Sequence, residues 1–286
     1  MDSLVSTDWL AAHLGEPDLV VLDATRHLPG VERVPQEDFR AAHIPGARFL
    51  DLASLTDRDS AVPGALPRGE QLAERLGALG VTAETRVVLY DDSAIKSAAR
   101  AWFMFRLFGH ERIAILDGGW GKWSMEGLPV ESGSVAPEPA KYAVGARRSI
   151  VRDKQDILAN IESGREQVVD ARDPDRFTGA TIDTVHDLPG GHIPGARNLF
   201  FRDLFRDDVT YRPIPELRAA VAKAGLDPDR PIVASCGSGM TASVVLFALH
   251  LIGRDDFAIY DGSWAEWGAD PDTPKETGPA DRKSVV

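Results

Sequence analysis

The chain repeats itself. Arg86-Val87-Val88-Leu89-Tyr90 opens a segment that closes on Asp117-Gly118-Gly119-Trp120-Gly121-Lys122-Trp123. Arg230 opens a second that closes on Asp261-Gly262-Ser263-Trp264-Ala265-Glu266-Trp267. One constant offset carries Arg86 to Arg230 and Trp123 to Trp267, so the two segments match without a gap. Upstream, His43-Ile44-Pro45-Gly46-Ala47-Arg48 recurs as His192-Ile193-Pro194-Gly195-Ala196-Arg197, and Val20-Val21-Leu22-Asp23-Ala24 as Gln167-Val168-Val169-Asp170-Ala171. Copies of this length describe a duplicated domain, not a solenoid of short repeats.

Each copy has the same order of elements. A helix is expected over Ser6–Leu14 and Val151–Ser163, then a short apolar strand over Leu19–Asp23 and Val168–Asp170, then a loop ending in His-Ile-Pro-Gly-Ala. A second helix (Gly69–Leu79, Ile214–Ala224) leads to a strand ending before position 92 or 236. A third precedes a last strand (Ile113–Leu116, Phe257–Tyr260). Alternating strands and helices predict an α/β fold: two tandem domains, each an open, mainly parallel sheet with helices on both faces. The expected extents are 1–130 and 149–274, joined by a linker over 131–148 of Pro/Gly/Ser character, with a tail over 275–286 whose last residues fray. Trp120, Trp123, Trp264 and Trp267 recur at one place in each copy and read as packing residues.

The copies differ at one decisive turn. In the second, Pro231-Ile232-Val233-Ala234-Ser235 ends at Cys236, the only cysteine. Gly237-Ser238-Gly239-Met240-Thr241 follows, and then an apolar stretch from Ala242 to Ile252 long enough for a helix. A strand, a Gly-rich turn and a helix N-terminus aim successive backbone N–H groups at one point, a field that favours a thiolate and marks Cys236 as a nucleophile. Gly237 is a position where a positive φ is expected. The first copy has Asp92 at the matching place, followed by Ser93-Ala94-Ile95-Lys96, so its chemistry is lost and it serves as scaffold.

Composition narrows the classes. A single cysteine excludes an intramolecular disulfide, and Met1-Asp2-Ser3-Leu4 has neither the basic nor the apolar stretch of a secretory signal. No apolar run is long enough to span a bilayer. The net charge of -12 argues against non-specific nucleic-acid binding. A cytoplasmic enzyme acting without metal or other cofactor is the expectation, since no P-loop and no metal-ligand spacing is present.

The repeated motifs and the loop Cys236-Gly237-Ser238-Gly239-Met240-Thr241-Ala242 resemble the two-domain rhodanese superfamily, and within it the Cys-Gly-Ser-Gly-Val-Thr-Ala signature of the mercaptopyruvate sulfurtransferases. Met240 replaces the usual Val. Thiosulfate-using members carry Cys-Arg-Lys-Gly-Val-Thr, and Gly237 and Ser238 stand where those cations would be. The resemblance implies that a Cys236 thiolate takes sulfur from mercaptopyruvate, releases pyruvate, and passes sulfur from a persulfide to a thiol such as thioredoxin or to cyanide. It implies a proton relay of Ser238 with His43 from the other domain and an acid at Glu32, where the family has Asp. It places Gly237, Gly239, Met240 and Thr241 around the substrate and Arg176, in Asp175-Arg176-Phe177-Thr178-Gly179, on its carboxylate. A second family arginine falls on Val185, with His186 beside it, and the loop from Ala180 to Pro189 lacks the usual Pro-Glu-Pro-Arg.

Other readings remain open on the residues. The loop lacks cations, which disfavours thiosulfate as donor. A cysteine phosphatase needs an arginine in the loop, and none lies between Cys236 and Val244. A non-enzymatic persulfide carrier or binding module is a further alternative, because the first copy shows that the fold persists without its nucleophile.

Overall fold

The computed structural model describes residues 1–280. The expected fraying of the last residues falls on 281–286, outside the described residues. The chain divides into two units. The first comprises residues 1–57, 66–148 and 207–211, the second residues 58–65, 149–206 and 212–286.

In the first unit, β1 (Leu4–Val5), β2 (Leu19–Asp23), β3 (Arg48–Phe49), β4 (Arg86–Tyr90) and β5 (Ile113–Leu116) form a sheet of order β1-β5-β4-β2-β3. Every pairing is parallel. The central strands are buried along almost their whole length, as strands covered on both faces must be. Helices α1 (Thr7–His13) and α2 (Pro35–Ala41) lie in crossovers that move toward β3. Those carrying α3 (Gly69–Ala78) and α4 (Ala98–Leu107) move back toward β1. Right-handed crossovers put these two sets on opposite faces. Core packing agrees: Leu10 of α1, Phe39 of α2 and Trp123 of α5 (Gly119–Met125) share one cluster with Val21, Val88, Ala114 and Leu116. On the other face α4 is buried nearly all round, as an apolar-sided helix under a sheet should be.

The second unit repeats the plan. Its sheet runs β6 (Val151–Arg152), β10 (Phe257–Tyr260), β9 (Ile232–Ser235), β7 (Gln167–Asp170), β8 (Arg197–Asn198), all parallel. Ile157 of α6 (Lys154–Ser163), Phe177 of α7 (Pro174–Thr178), and Trp264 and Trp267 of α10 (Ser263–Trp267) cluster on Val168, Val233 and Ala258. Helices α8 (Ile214–Lys223) and α9 (Ala242–Leu251) return on the opposite face. Trp123, Trp264 and Trp267 are wholly buried and Trp120 partly so. Truncating any of the three buried ones should cost about 3–5 kcal/mol.

Local signals set the ends. Ser6 caps α1 by accepting the Trp9 N–H (3.1 Å). A reciprocal capping box of Asp153 and Asp156 starts α6, which explains why Val151–Arg152 is an edge strand and not the first turn of that helix. The two-residue edge strands β1, β3, β6 and β8 carry too few residues to show a period, and the sequence did not reveal them.

The segment 131–148 is packed on the first unit and does not behave as a loose connection. Glu131 pairs antiparallel with His43, the Ala140 N–H meets Gly77 O (2.8 Å), Tyr142 is buried with its hydroxyl 3.2 Å from His110, and the Arg148 N–H meets Leu107 O (2.8 Å). Residues 275–280 are likewise held: Glu276 bridges His192, and the Gly278 N–H reaches Thr178 O (2.7 Å).

Candidate active site

In each sheet the connection leaving the strand beside the centre reverses direction, between β2 and β4 and between β7 and β9. Ligands of open α/β sheets bind outside the carboxyl ends of strands at such a point. Cys236 sits there, one residue past β9, and β7 ends alongside it at Asp170.

The cysteine loop is tied from behind. Ser263 Oγ accepts the N–H of Cys236 (3.2 Å) and of Gly239 (3.1 Å) and donates to Tyr260 O (2.9 Å). The Trp264 N–H meets Cys236 O (2.9 Å), the Ala265 N–H meets Gly237 O (2.8 Å), and Ser243 Oγ donates to Gly239 O (3.0 Å). Among the described residues, the amides of Gly237, Ser238, Met240 and Thr241 have no acceptor. Four undonated N–H groups follow a buried cysteine, at the start of a ten-residue helix. Such a cradle suits an anion on the cysteine. Gly239 takes the left-handed conformation (φ 76°). Gly237 does not, contrary to the expectation from sequence. It is glycine for a steric reason: a Cβ there would overlap the His186 imidazole, whose Nδ1 and Nε2 lie 3.1 Å from that position.

His186 is one of three groups the sequence passed over. Its Nδ1 is 3.0 Å from Oδ1 of Asp183, which is wholly buried and also accepts the backbone N–H groups of Val185 and His186. Burial alone would raise the Asp183 carboxyl. The His186 hydrogen bond, then the charges of His186, Arg176 and Arg172, hold it down to about 2. Arg172, buried, binds both Asp170 oxygens, donates to Gly191 O (2.6 Å) and lies 4.4 Å over the Trp264 ring. Its Nη1 faces Asp183 Oδ2 at 3.8 Å. Arg172 stands where the first copy has Thr25, a difference readable in the sequence. Asp183 and His186 lie in the irregular loop after α7, where no period signals burial.

Arg176 is half-buried on the same cluster, paired with Asp173 and 3.5 Å from Asp183 Oδ1. Proline at the first helical position and the Asp173 side chain on the Arg176 N–H (3.0 Å) start α7 and so set the arginine's direction. Val185 is in the same loop as His186, and the Trp264 Nε1–H to Pro189 O bond (2.9 Å) fixes that loop against α10. Ser238 and Met240 are half-buried in the cysteine loop, as is Thr241 at the N-cap of α9.

His43 and Glu32 belong to the first unit. His43 is buried, its Nδ1 2.7 Å from Phe39 O, its ring stacked on Phe39 at 4.0 Å and its backbone paired with Glu131. His192 repeats every one of these contacts with Phe177 and Glu276 (2.8 Å, 3.9 Å). The histidine of the repeated motif thus has a structural task in both units. The carboxylate facing His43 Nε2, at 3.9 Å, is that of Glu131. Glu32 is exposed in the loop before α2.

Two tandem α/β units, one of them carrying a cysteine cradle, define a class of protein. The rhodanese-like domain family matches residues 6–126 and again residues 153–270, and the chain belongs to that family. It is 40% identical to the 3-mercaptopyruvate sulfurtransferase of Homo sapiens over 271 residues, covering 93% of this chain and 91% of the human protein. It is 38% identical to the thiosulfate/3-mercaptopyruvate sulfurtransferase 1, mitochondrial, of Arabidopsis thaliana, covering 96% of this chain and 78% of that one. The crystal structure of a 3-mercaptopyruvate sulfotransferase from Escherichia coli matches with a TM-score of 0.82 at 36% identity, over 92% of this chain and 99% of that one.

Proposed function

We propose that this protein is a sulfurtransferase that takes sulfur from 3-mercaptopyruvate through a persulfide on Cys236. The observation that carries the reading is the cysteine loop itself: a buried cysteine followed by four amides without acceptors among the described residues and by no cationic side chain in the loop. The Cys236 thiolate attacks the donor's thiol sulfur. An S–S bond forms, the C–S bond breaks, and its electron pair passes to the methylene carbon of the departing enolate. The proton of the donor thiol ends on that carbon, so pyruvate leaves and a persulfide anion stays in the amide cradle. A thiolate such as that of thioredoxin, or cyanide, then removes the outer sulfur and restores Cys236. Arg176 offers a guanidinium fork for the donor carboxylate, and Ser238 a hydroxyl for the moving proton.

Thiosulfate is the second donor to weigh, because the Arabidopsis relative's name includes it. The neutral loop argues that mercaptopyruvate is preferred. No helix among the described residues is long and apolar enough to cross a membrane, and we place the reaction in the cytoplasm. Incubation with mercaptopyruvate should add one sulfur, about 32 Da, at Cys236, and Cys236→Ser should abolish turnover with the fold retained. Turnover without a persulfide on Cys236 would falsify the mechanism.

A further inference from the structure

We propose that His186, held by Asp183, is the donor-selecting residue of this site: it fills the space that any side chain at 237 would need and presents its Nε2 to the anion held on the loop amides. The proposal rests on the sulfur-transfer reading of the Cys236 loop.

Three observations carry it. A Cβ on Gly237 would overlap the imidazole, although the Gly237 backbone is of a kind any residue adopts. The glycine is therefore dictated by His186, not by the turn. Second, the ring cannot easily swing aside. Its Nδ1 is bonded to a wholly buried carboxylate, which also accepts the backbone N–H groups of Val185 and His186. Third, with Nδ1–H donated to Asp183, the other ring nitrogen has no partner among the described residues, and the side chain keeps a partial opening of 17%. Asp183 on its own loop pairs with the ring, Arg172 and Arg176 face that carboxylate, Asp187 follows His186 in the chain, and Gly237 of the Cys236 loop lies against the imidazole.

The consequence is a coupling between residues 186 and 237. A loop carrying a long side chain at 237 cannot be installed while His186 is present, so next to Cys236 the donor meets backbone amides and the ring nitrogen instead of a cationic side chain. That chemistry fits a small monoanionic keto acid better than a compact dianion, which would want a full cation in the loop.

The test is a set of variants assayed with mercaptopyruvate and with thiosulfate. His186→Ala should lower kcat/KM for mercaptopyruvate by about ten-fold, mostly through KM, and lower the mercaptopyruvate-to-thiosulfate ratio by about five-fold or more. Gly237→Ala alone should lower both donors by at least about thirty-fold. Combining it with His186→Ala should recover about ten-fold of that loss. Strictly additive losses would overturn the steric coupling, and an unchanged donor ratio in His186→Ala would overturn the selecting role. If Gly237→Ala does not fold, the donor ratio of His186→Ala still decides. Should the wild type form its persulfide only from thiosulfate, the mercaptopyruvate reading fails on its own, and the 186–237 coupling is judged with that donor.

Discussion

The turns after β4 and β9 leave equivalent strands for equivalent helices, and they dispose of their polar groups in opposite ways. After β4, Asp91 accepts the Ser93 N–H and hydroxyl (both 2.9 Å) and the Ala98 N–H (2.9 Å). The Asp92 N–H goes to Thr25 Oγ1 (2.9 Å), and its carboxylate pairs with Arg33 (2.7 Å). The turn is closed on its own side chains. After β9, the hydroxyls of Ser263 and Ser243 tie the loop from behind, and four amides have no acceptor among the described residues. A duplicated domain can thus keep its sheet and lose its chemistry by spending the loop's donors internally.

Loop exchange tests this most sharply. Cys236→Asp, which copies the first unit, should lower turnover by at least about ten-thousand-fold, since no other thiol exists in the chain. Adding Asp92→Cys to Cys236→Ser should restore nothing, because the amides of residues 92, 93, 96 and 97 already have acceptors. Mass spectrometry after donor treatment checks this, and a persulfide at position 92 would break the comparison.

The buried aspartates at the ends of β2 and β7 sharpen it in energy. Burial, with a further push from the Asp91 charge, raises the Asp23 carboxyl to about 6 against the hydrogen bonds of Thr25. Asp170 instead has the Arg172 guanidinium across both oxygens. Asp170→Asn should cost about 3–5 kcal/mol by leaving the buried Arg172 guanidinium with only its longer contact to Asp183 (3.8 Å). Asp23→Asn should act in the opposite sense. A carboxyl raised in the folded state opposes folding once ionised, so the penalty is present above pH 6 and is relieved as pH falls toward 4. A shift from 3.8 to about 6 corresponds to at most about 3 kcal/mol. The advantage of the Asp23→Asn variant in Tm should therefore be largest at pH 8 and gone by pH 4. A gap independent of pH would mean that Asp23 is not the titrating group.

A smaller steric effect follows from the residues behind the loops. Gly119 and Ser263 occupy matching positions, and both are left-handed (φ 56° and 49°). A Cβ on Gly119 would overlap Asp91 O, which accepts the Trp120 N–H. In the second unit the matching tryptophan amide bonds one residue later, to Cys236 O, and the serine fits. Gly119→Ser should cost about 1–3 kcal/mol of stability. A neutral result in denaturant melts would show that the first turn adjusts as the second has.

The duplication, the parallel sheets and Cys236 were legible because apolar strands of four or five residues and a repeated motif leave a period. Asp183 and His186 were not, since their roles come from tertiary neighbours across an irregular loop, and Arg172 showed only as a difference from Thr25 of the first copy. Ser263 was half-legible: the repeats read Asp-Gly-Gly-Trp and Asp-Gly-Ser-Trp, and a serine at a glycine position asks for a reason. Glu131 was not legible as a neighbour of His43, because it reaches that histidine through a bridge between distant residues. The positive φ expected at Gly237 is absent, because a tertiary neighbour, His186, and not the turn takes the space of a side chain there.

The finest test separates the two properties of Ser263, its strained backbone and its hydroxyl. Ser263→Ala and Ser263→Gly both delete Oγ and leave the Cys236 and Gly239 amides without their acceptor, a cost of about 1–3 kcal/mol shared by the two variants. Only alanine keeps a Cβ at φ 49°. Relief of that strain favours glycine by about 1–2 kcal/mol, and glycine's greater freedom in the unfolded chain takes back about 0.5–1 kcal/mol. Urea melts with unchanged m-values should then rank serine above glycine and glycine above alanine, the last two within about 1 kcal/mol. Both variants should lose kcat/KM by a similar factor, because the loop they loosen is the same. Alanine equal to serine in stability and in turnover would show that the hydroxyl does not hold the loop, and the contrast between an open and a closed turn would need another cause.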